Sequence, residues 1–290
     1  MNLEIAQVAL AQYDLPAVSL TFLGQSQNTS FRIETAPGEV FLLRLHVGLA
    51  ADQTPEDWRS PEAIQSELLW LDAIAQETDL SVPQPLLNRL GNWVTMVDLD
   101  GGPIACSLLR WVEGEHLAAT GPQIVRLGRL MAQLHQQASN WSVPPGFSRP
   151  NHDAAQLRSA IGQLGTLVQN GTISAQDYQV FRQATAQVET LISTLEKTPD
   201  TWGLIHADLH QGNYLVHNTE VRPIDFSRCG FGFYLYDIGE SLGDIEAALR
   251  PQFFEGYASL RPLPAGYQSV VEAFFIGATV ENFAFHSSNP

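Results

Sequence analysis

The stretch His206-Ala207-Asp208-Leu209-His210-Gln211-Gly212-Asn213, followed by Ile224-Asp225-Phe226, decides the reading of this chain. Apolar runs at 204–205, 214–216 and 221–224 surround these polar residues, which places them on a loop between short buried strands. Asp208 and Asn213 are five positions apart, and Asn218-Thr219 offers a turn between residues 214–217 and 221–224. A hairpin of that length returns Asp225 to the side of Asn213. Two carboxylates and a carboxamide then form an oxygen-rich corner of the kind magnesium prefers.

The texture differs on the two sides of this loop. After it, residues 251–260 and 267–282 carry apolar positions at helical spacing, and no closing helix is legible before Pro290. Before it, residues 156–168 and 174–197 read as helices, with Gly171 as a stop and Ser174 as a cap. Residues 122–137 put Ile124, Leu127, Met131 and Leu134 on one helical face. Upstream of Glu113-Gly114-Glu115 the pattern becomes β. Strands are expected at 19–23, 30–33, 40–45, 92–99 and 104–111, with turns at Pro37-Gly38 and Asp100-Gly101-Gly102-Pro103. A short helix at 3–13 precedes them. Another follows the third strand, capped by Ser60, with Pro61 at its first position and Ile64, Leu68, Leu71 and Ala75 as its stripe. The expectation is an α+β chain: a sheet-rich part at 1–110 and a mainly helical part at 111–290, hinged near 109–114.

Bulk composition narrows the function. Fifteen basic against 31 acidic residues give a net charge of −16, a field that repels phosphate backbones, so nucleic acid is not an expected partner. A cationic small molecule is attracted by the same field. No run approaches the roughly 18 apolar residues of a membrane span. Glu4 and Asp14 flank the first apolar stretch with no basic leader, so no secretory signal is expected. Cys106 and Cys229 match no metal spacing, and two thiols in 290 residues suit a reducing cytoplasm.

Taken together, 206–213 and Ile224-Asp225-Phe226 resemble the signature of the aminoglycoside phosphotransferase and choline kinase-like family of small-molecule kinases. Further matches are Leu127-Gly128-Arg129 through Leu134-His135, Glu113-Gly114-Glu115, and Gly230-Phe231-Gly232 through Tyr236-Asp237-Ile238. The resemblance spans about residues 18 to 285. It implies a two-lobed protein-kinase-like fold and transfer of the terminal phosphate of ATP or GTP to a small-molecule hydroxyl. By the same resemblance Asp208 orients the hydroxyl and takes its proton, while Asn213 and Asp225 hold Mg2+ on the phosphates. Phosphoryl transfer needs positioning and charge neutralisation more than covalent help, which fits so small a set of groups.

In the first part, Gly24-Gln25-Ser26-Gln27-Asn28-Thr29-Ser30 resembles the family's phosphate-covering loop. It has a single glycine, so Ser26, Asn28 and Thr29 are its candidate donors; an ordinary polar hairpin is the alternative. Arg44 stands where many kinases carry lysine, and keeps the charge in a planar fork suited to phosphate oxygens. Leu42, Arg44 and His46 share one strand face, opposite Phe41, Leu43 and Leu45. Glu67 beside the helix stripe is the candidate partner of Arg44, with plain surface exposure as the alternative for both. The base is expected against the backbone of 108–112, which brings Arg110 and Val112 into the nucleotide set.

His206 is expected to pack behind the loop, His135 to be a satisfied core histidine, and Asp237 to brace the loop backbone. Phe253, Phe254, Tyr257, Phe274, Phe275, Phe283 and Phe285 are read mostly as core, some lining an acceptor site where Asp244 or Glu281 suits an amine. Two other readings stay open. His206-x-Asp208-x-His210 could serve as the ligand trio of a two-metal hydrolase. Alternatively, Arg44 and the glycine-poor loop could mark a kinase fold that binds nucleotide as a regulator without transferring phosphate.

Overall fold

The computed structural model describes residues 2–26, 28–47, 57–99, 102–117 and 120–288. Gln27 of the 24–30 loop and Asp100-Gly101 of the expected turn lie outside them. The chain divides into two units, Met1–Glu113 with Val143–Arg149, and Gly114–Ser142 with Pro150–Pro290.

The first unit contains α1 (Asn2–Leu10), β1 (Ala17–Gln25), β2 (Thr29–Thr35), β3 (Val40–Leu45), α2 (Pro61–Glu77), β4 (Thr95–Leu99) and β5 (Gly102–Arg110). Its strands form one antiparallel sheet in the order β1-β2-β3-β5-β4. Helical spacing puts Ile5, Ala6 and Ala9 on one face of α1, against Phe31, Ile33, Phe41, Leu43 and Leu45 of the sheet. Each large side chain buried this way contributes about 1.5–3 kcal/mol. Gly38 turns β2 into β3 at φ 88°, a conformation open to glycine at little cost.

Ser60 starts α2 as expected: its Oγ accepts from the Ala63 amide at 3.1 Å. The helix buries Ile64, Leu68, Leu71 and Ile74, with Ile74 rather than Ala75 ending the stripe. Residues 143–149 attach to this helix. The Ser148 amide donates to Ser66 Oγ at 2.8 Å, and Arg149 donates to the Ala63 carbonyl at 3.2 Å.

The second unit runs α3 (Gly121–Asn140), β6 (Asn151–His152), α4 (Ala154–Gln169), α5 (Ala175–Ile192), β7 (Trp202–Ile205), β8 (Tyr214–His217), β9 (Glu220–Pro223), β10 (Gly230–Phe233), α6 (Tyr234–Ser241), α7 (Arg250–Ala258) and α8 (Tyr267–Ser288). The β patch of the sequence reading is two structures. β8 and β9 form a hairpin by themselves, whereas β7 lies in a three-stranded sheet ordered β6-β10-β7. β10 escaped notice because two of its four residues are glycines, which normally weaken a strand. Here they are required: a methyl on Gly230 would overlap the Pro150 carbonyl, and one on Gly232 the Ile205 side chain.

Two other glycines bring α3 and α7 together, Gly128 against the Phe253 carbonyl and Gly256 against the Val125 carbonyl. α8 extends to Ser288, past the expected end at 282, because Ala284 joins Leu157, Leu164 and Val188 in a common core. No helix among the described residues is long and apolar enough to cross a membrane.

Candidate active site

The candidate site is built around the loop that leaves β7. Ala207 takes a left-handed φ of 61°, strained for a residue with a Cβ, and the chain then doubles back through Asp208. The His210 amide donates to the Asp208 carbonyl at 2.9 Å, and the Asn213 amide to the His210 carbonyl at 2.8 Å. The His210 ring caps this turn by accepting from the Gly212 amide at 3.0 Å. Asn213 Nδ2 donates to the Asp208 carbonyl at 2.8 Å and to its Oδ2 at 2.9 Å. The remaining carboxylate oxygen, Oδ1, accepts from Arg228 at 3.0 Å. Both oxygens of Asp208 are thus fixed in direction, and the side chain stays partly exposed.

Buried groups hold this loop from beneath. Asp237, near the start of α6, accepts from the His206 amide at 3.1 Å, the Ala207 amide at 2.7 Å and His135 Nε2 at 2.9 Å. Those two amides secure the strained residue. Burial alone would push the Asp237 carboxyl up, but the His135 bond, nearby histidines and the Ala207 amide hold it below the ordinary range. Burial also lowers His135, so the ring is neutral; its Nδ1 meets the Tyr257 hydroxyl at 2.9 Å. The ring of His206 is fully buried, bonds the Ile224 carbonyl through Nε2 at 3.0 Å and packs on Phe226 with ring centres 4.5 Å apart.

The hairpin returns Asp225 as its length requires, since the Ile224 amide donates to the Asn213 carbonyl at 2.9 Å. Asp225 has φ 55°, a second strained non-glycine residue, and its Oδ1 accepts from the Ser227 hydroxyl and amide. These bonds test whether the corner fits a hard cation. Asn213 spends its nitrogen on Asp208, which leaves the amide oxygen without a hydrogen bond from the described residues. Asp225 Oδ2 is likewise uncommitted among them. An oxygen-only set of this kind fits magnesium. The hydrolase trio is not assembled as a metal site. Among the described residues no three His, Cys, Asp or Glu gather to hold a metal.

In the first unit Arg44 and Glu67 meet at 2.7 Å, only 5% and 1% exposed, so neither is a surface residue. Next along the chain, His46 is bonded to Ser107 Oγ at 2.9 Å. Burial and the charges of Arg44, Arg149 and Arg59 hold its pKa well below the ordinary value. Of the loop residues, Ser26 donates its amide to the Asn28 carbonyl at 3.0 Å and exposes its side chain. Arg110 is exposed, with its guanidinium 3.4 Å from Glu39 and its amide donated to the Gln84 carbonyl at 2.7 Å. Val112 is buried just beyond β5.

Arg228 and Glu240 went unnoticed in the sequence. Arg228 follows Asp225 by three residues and is almost enclosed. Burial opposes its charge, but Asp208, Tyr236, Glu240 and Glu281 overcome that and raise its pKa. Glu240, one turn after Asp237 on α6, is buried too. The spacing from Asp237 was the available clue, since residues three apart share a helix face.

Four likenesses bear on this geometry. The sequence profile of the phosphotransferase enzyme family matches residues 20–270. The amicoumacin kinase of Bacillus subtilis strain 168 is 23% identical over 240 residues, covering 81% of this chain and 66% of that kinase. The solved structure of a microcompartment-associated aminopropanol kinase superposes with a TM-score of 0.82 at 28% identity, covering 99% of this chain and 90% of that one. An amicoumacin kinase in complex with AMP-PNP, Ca2+ and Ami has the same fold, with a TM-score of 0.81 at 21% identity over 99% and 86%. With its profile matched from β1 to the start of α8, the chain belongs to the phosphotransferase enzyme family.

Proposed function

We propose that this protein transfers the terminal phosphate of ATP or GTP to a hydroxyl of a small, amine-bearing molecule. The observation that carries the reading is Asp208, a carboxylate with both oxygens oriented by Asn213 and Arg228 on a loop braced by buried groups. A fixed carboxylate can align an acceptor hydroxyl and receive its proton as the oxygen attacks phosphorus. Asn213 and Asp225 would hold Mg2+, which supplies charge neutralisation on the nucleotide phosphates when bound. Arg44, steadied by Glu67, is assigned to the phosphate oxygens, Ser26 and Asn28 to the covering loop, and the 108–112 backbone, with Arg110 and Val112, to the base.

The amine follows from the net charge of −16 and from the aminopropanol and amicoumacin kinases among the likenesses. Two cysteines in 290 residues suit a reducing compartment, so we place the enzyme in the cytoplasm. Magnesium-dependent turnover of ATP and GTP should vanish in Asp208→Ala while thermal stabilisation by nucleotide persists. Asp225→Ala should lose the stabilisation itself. Full turnover in Asp208→Ala overturns the mechanism, and nucleotide binding without turnover in the wild type marks a regulator instead.

A further inference from the structure

Charge does not balance around Arg228. Its guanidinium lies among Asp208, Glu240 and Glu281, with the Tyr236 hydroxyl beside them. Asp208 is matched by Arg228 and Asn213, and Glu281 accepts from Tyr236 at 2.6 Å. Glu240 is different. The residue is 7% exposed, and its Oε2 is shielded from water with no hydrogen-bond partner among the described residues. An unpartnered buried carboxyl oxygen is costly and calls for a donor.

Among the described residues, the charged groups that bear on Glu240 are the acidic Asp208, Asp237 and Asp244 and the basic Arg228. They come from the loop after β7, from α6 itself, from the segment after α6 and from the turn before β10. Glu281 on α8 shares the same guanidinium.

We propose that Glu240 determines acceptor specificity by receiving the ammonium of a small amino alcohol whose hydroxyl is presented to Asp208, an inference that rests on the phosphotransferase reading. An ammonium brings three hydrogen-bond donors and the positive charge this cluster lacks. Glu240 is three residues beyond Asp237, so one turn of α6 carries both the anchor and the brace of the catalytic loop. Burial, with the neighbouring carboxylates, pushes Glu240 up to about 8, so the empty site holds a proton at neutral pH. Binding then exchanges cations: the ammonium enters, the carboxyl proton leaves to solvent, and a carboxylate–ammonium pair remains. A neutral alcohol of the same shape cannot drive that exchange.

The test compares 1-amino-2-propanol with propane-1,2-diol, which places a hydroxyl where the amine stands. Rates are taken with magnesium and nucleotide in the wild type and in Glu240→Gln. Glutamine copies the neutral acid in shape, and a melting curve verifies that the variant is folded. The wild type should favour the amine by about 10- to 100-fold in kcat/KM, chiefly through KM, and the variant should bring the ratio near one. Calorimetry in two buffers of different ionisation enthalpy should show close to one proton released per amine bound at pH 7, and none in the variant.

An amine preference that survives Glu240→Gln, equal use of both alcohols by the wild type, or amine binding without proton release overturns the inference. So does failure of the amine to bind or react. Magnesium-dependent nucleotide turnover and its loss in Asp208→Ala decide the phosphotransferase reading separately.

Discussion

Replacing Glu67 by alanine removes the carboxylate from a buried ion pair and should cost the first unit much of its stability. Arg44 and Glu67 meet at 2.7 Å with side chains only 6% and 2% exposed, so water screens neither charge. Arg149 and Arg59 add positive potential at the adjacent His46, which makes the carboxylate harder to dispense with. Breaking such a pair by deleting one partner costs about 3–5 kcal/mol. The first unit has about 120 residues, which at ~2.1 cal/mol/K per residue gives an unfolding entropy near 0.25 kcal/mol/K. The expected loss is therefore about 12–20 °C in the transition of that unit. Calorimetric unfolding reads it directly, and hydrogen exchange across β3 and α2 assigns the transition. The double variant Arg44→Met/Glu67→Leu should recover most of the stability, since apolar replacement of a buried pair is often neutral or better. A Tm drop under about 3 °C in the single variant, or a double variant no better than the single, would refute this account of the pair.

Three further outcomes follow from the second unit. Glu240 is raised to about 8 from 4.5, so below pH 4.5 it is protonated folded or unfolded. As pH climbs toward 8 the unfolded chain ionises first, and stability should fall by on the order of 3–5 kcal/mol. Glu240→Gln removes that contribution, so its Tm advantage over the wild type should grow between pH 5 and 8; parallel curves would contradict the burial argument. Asp237→Asn puts an NH2 group among three donors and should lower kcat at least about 100-fold while nucleotide binding persists; unchanged kcat would separate the brace from the chemistry. Gly128→Ala drives a methyl into the Phe253 carbonyl and should cost about 3 kcal/mol or more, seen as a lower denaturant midpoint; a neutral effect would mean α3 and α7 can part freely.

Legibility in the sequence followed the range of the interactions. Asp208, Asn213 and Asp225 were visible because polar groups on a loop between apolar strands stand out against their surroundings, and a hairpin of known length relates them. Ser60 was visible because capping is local. Arg44 and Glu67 were candidates by face, yet their enclosure depends on α2, residues 143–149 and the sheet converging from distant segments. β10 was hidden by glycines whose need arises only when Pro150 and Ile205 come close. Glu240 was hidden for the opposite reason: a helical glutamate reads as solvated surface until neighbouring elements enclose it.

The loop that carries Asp208 rests on His135, His206 and Asp237, none of which has measurable exposure. His206 also ties Ile224 and Phe226 to the loop, so the Asp208 and Asp225 carboxylates ride on one keel. Side chains higher on α6 and α8 are not part of that keel. Descendants of this chain could therefore exchange those side chains and still keep the keel that carries both carboxylates.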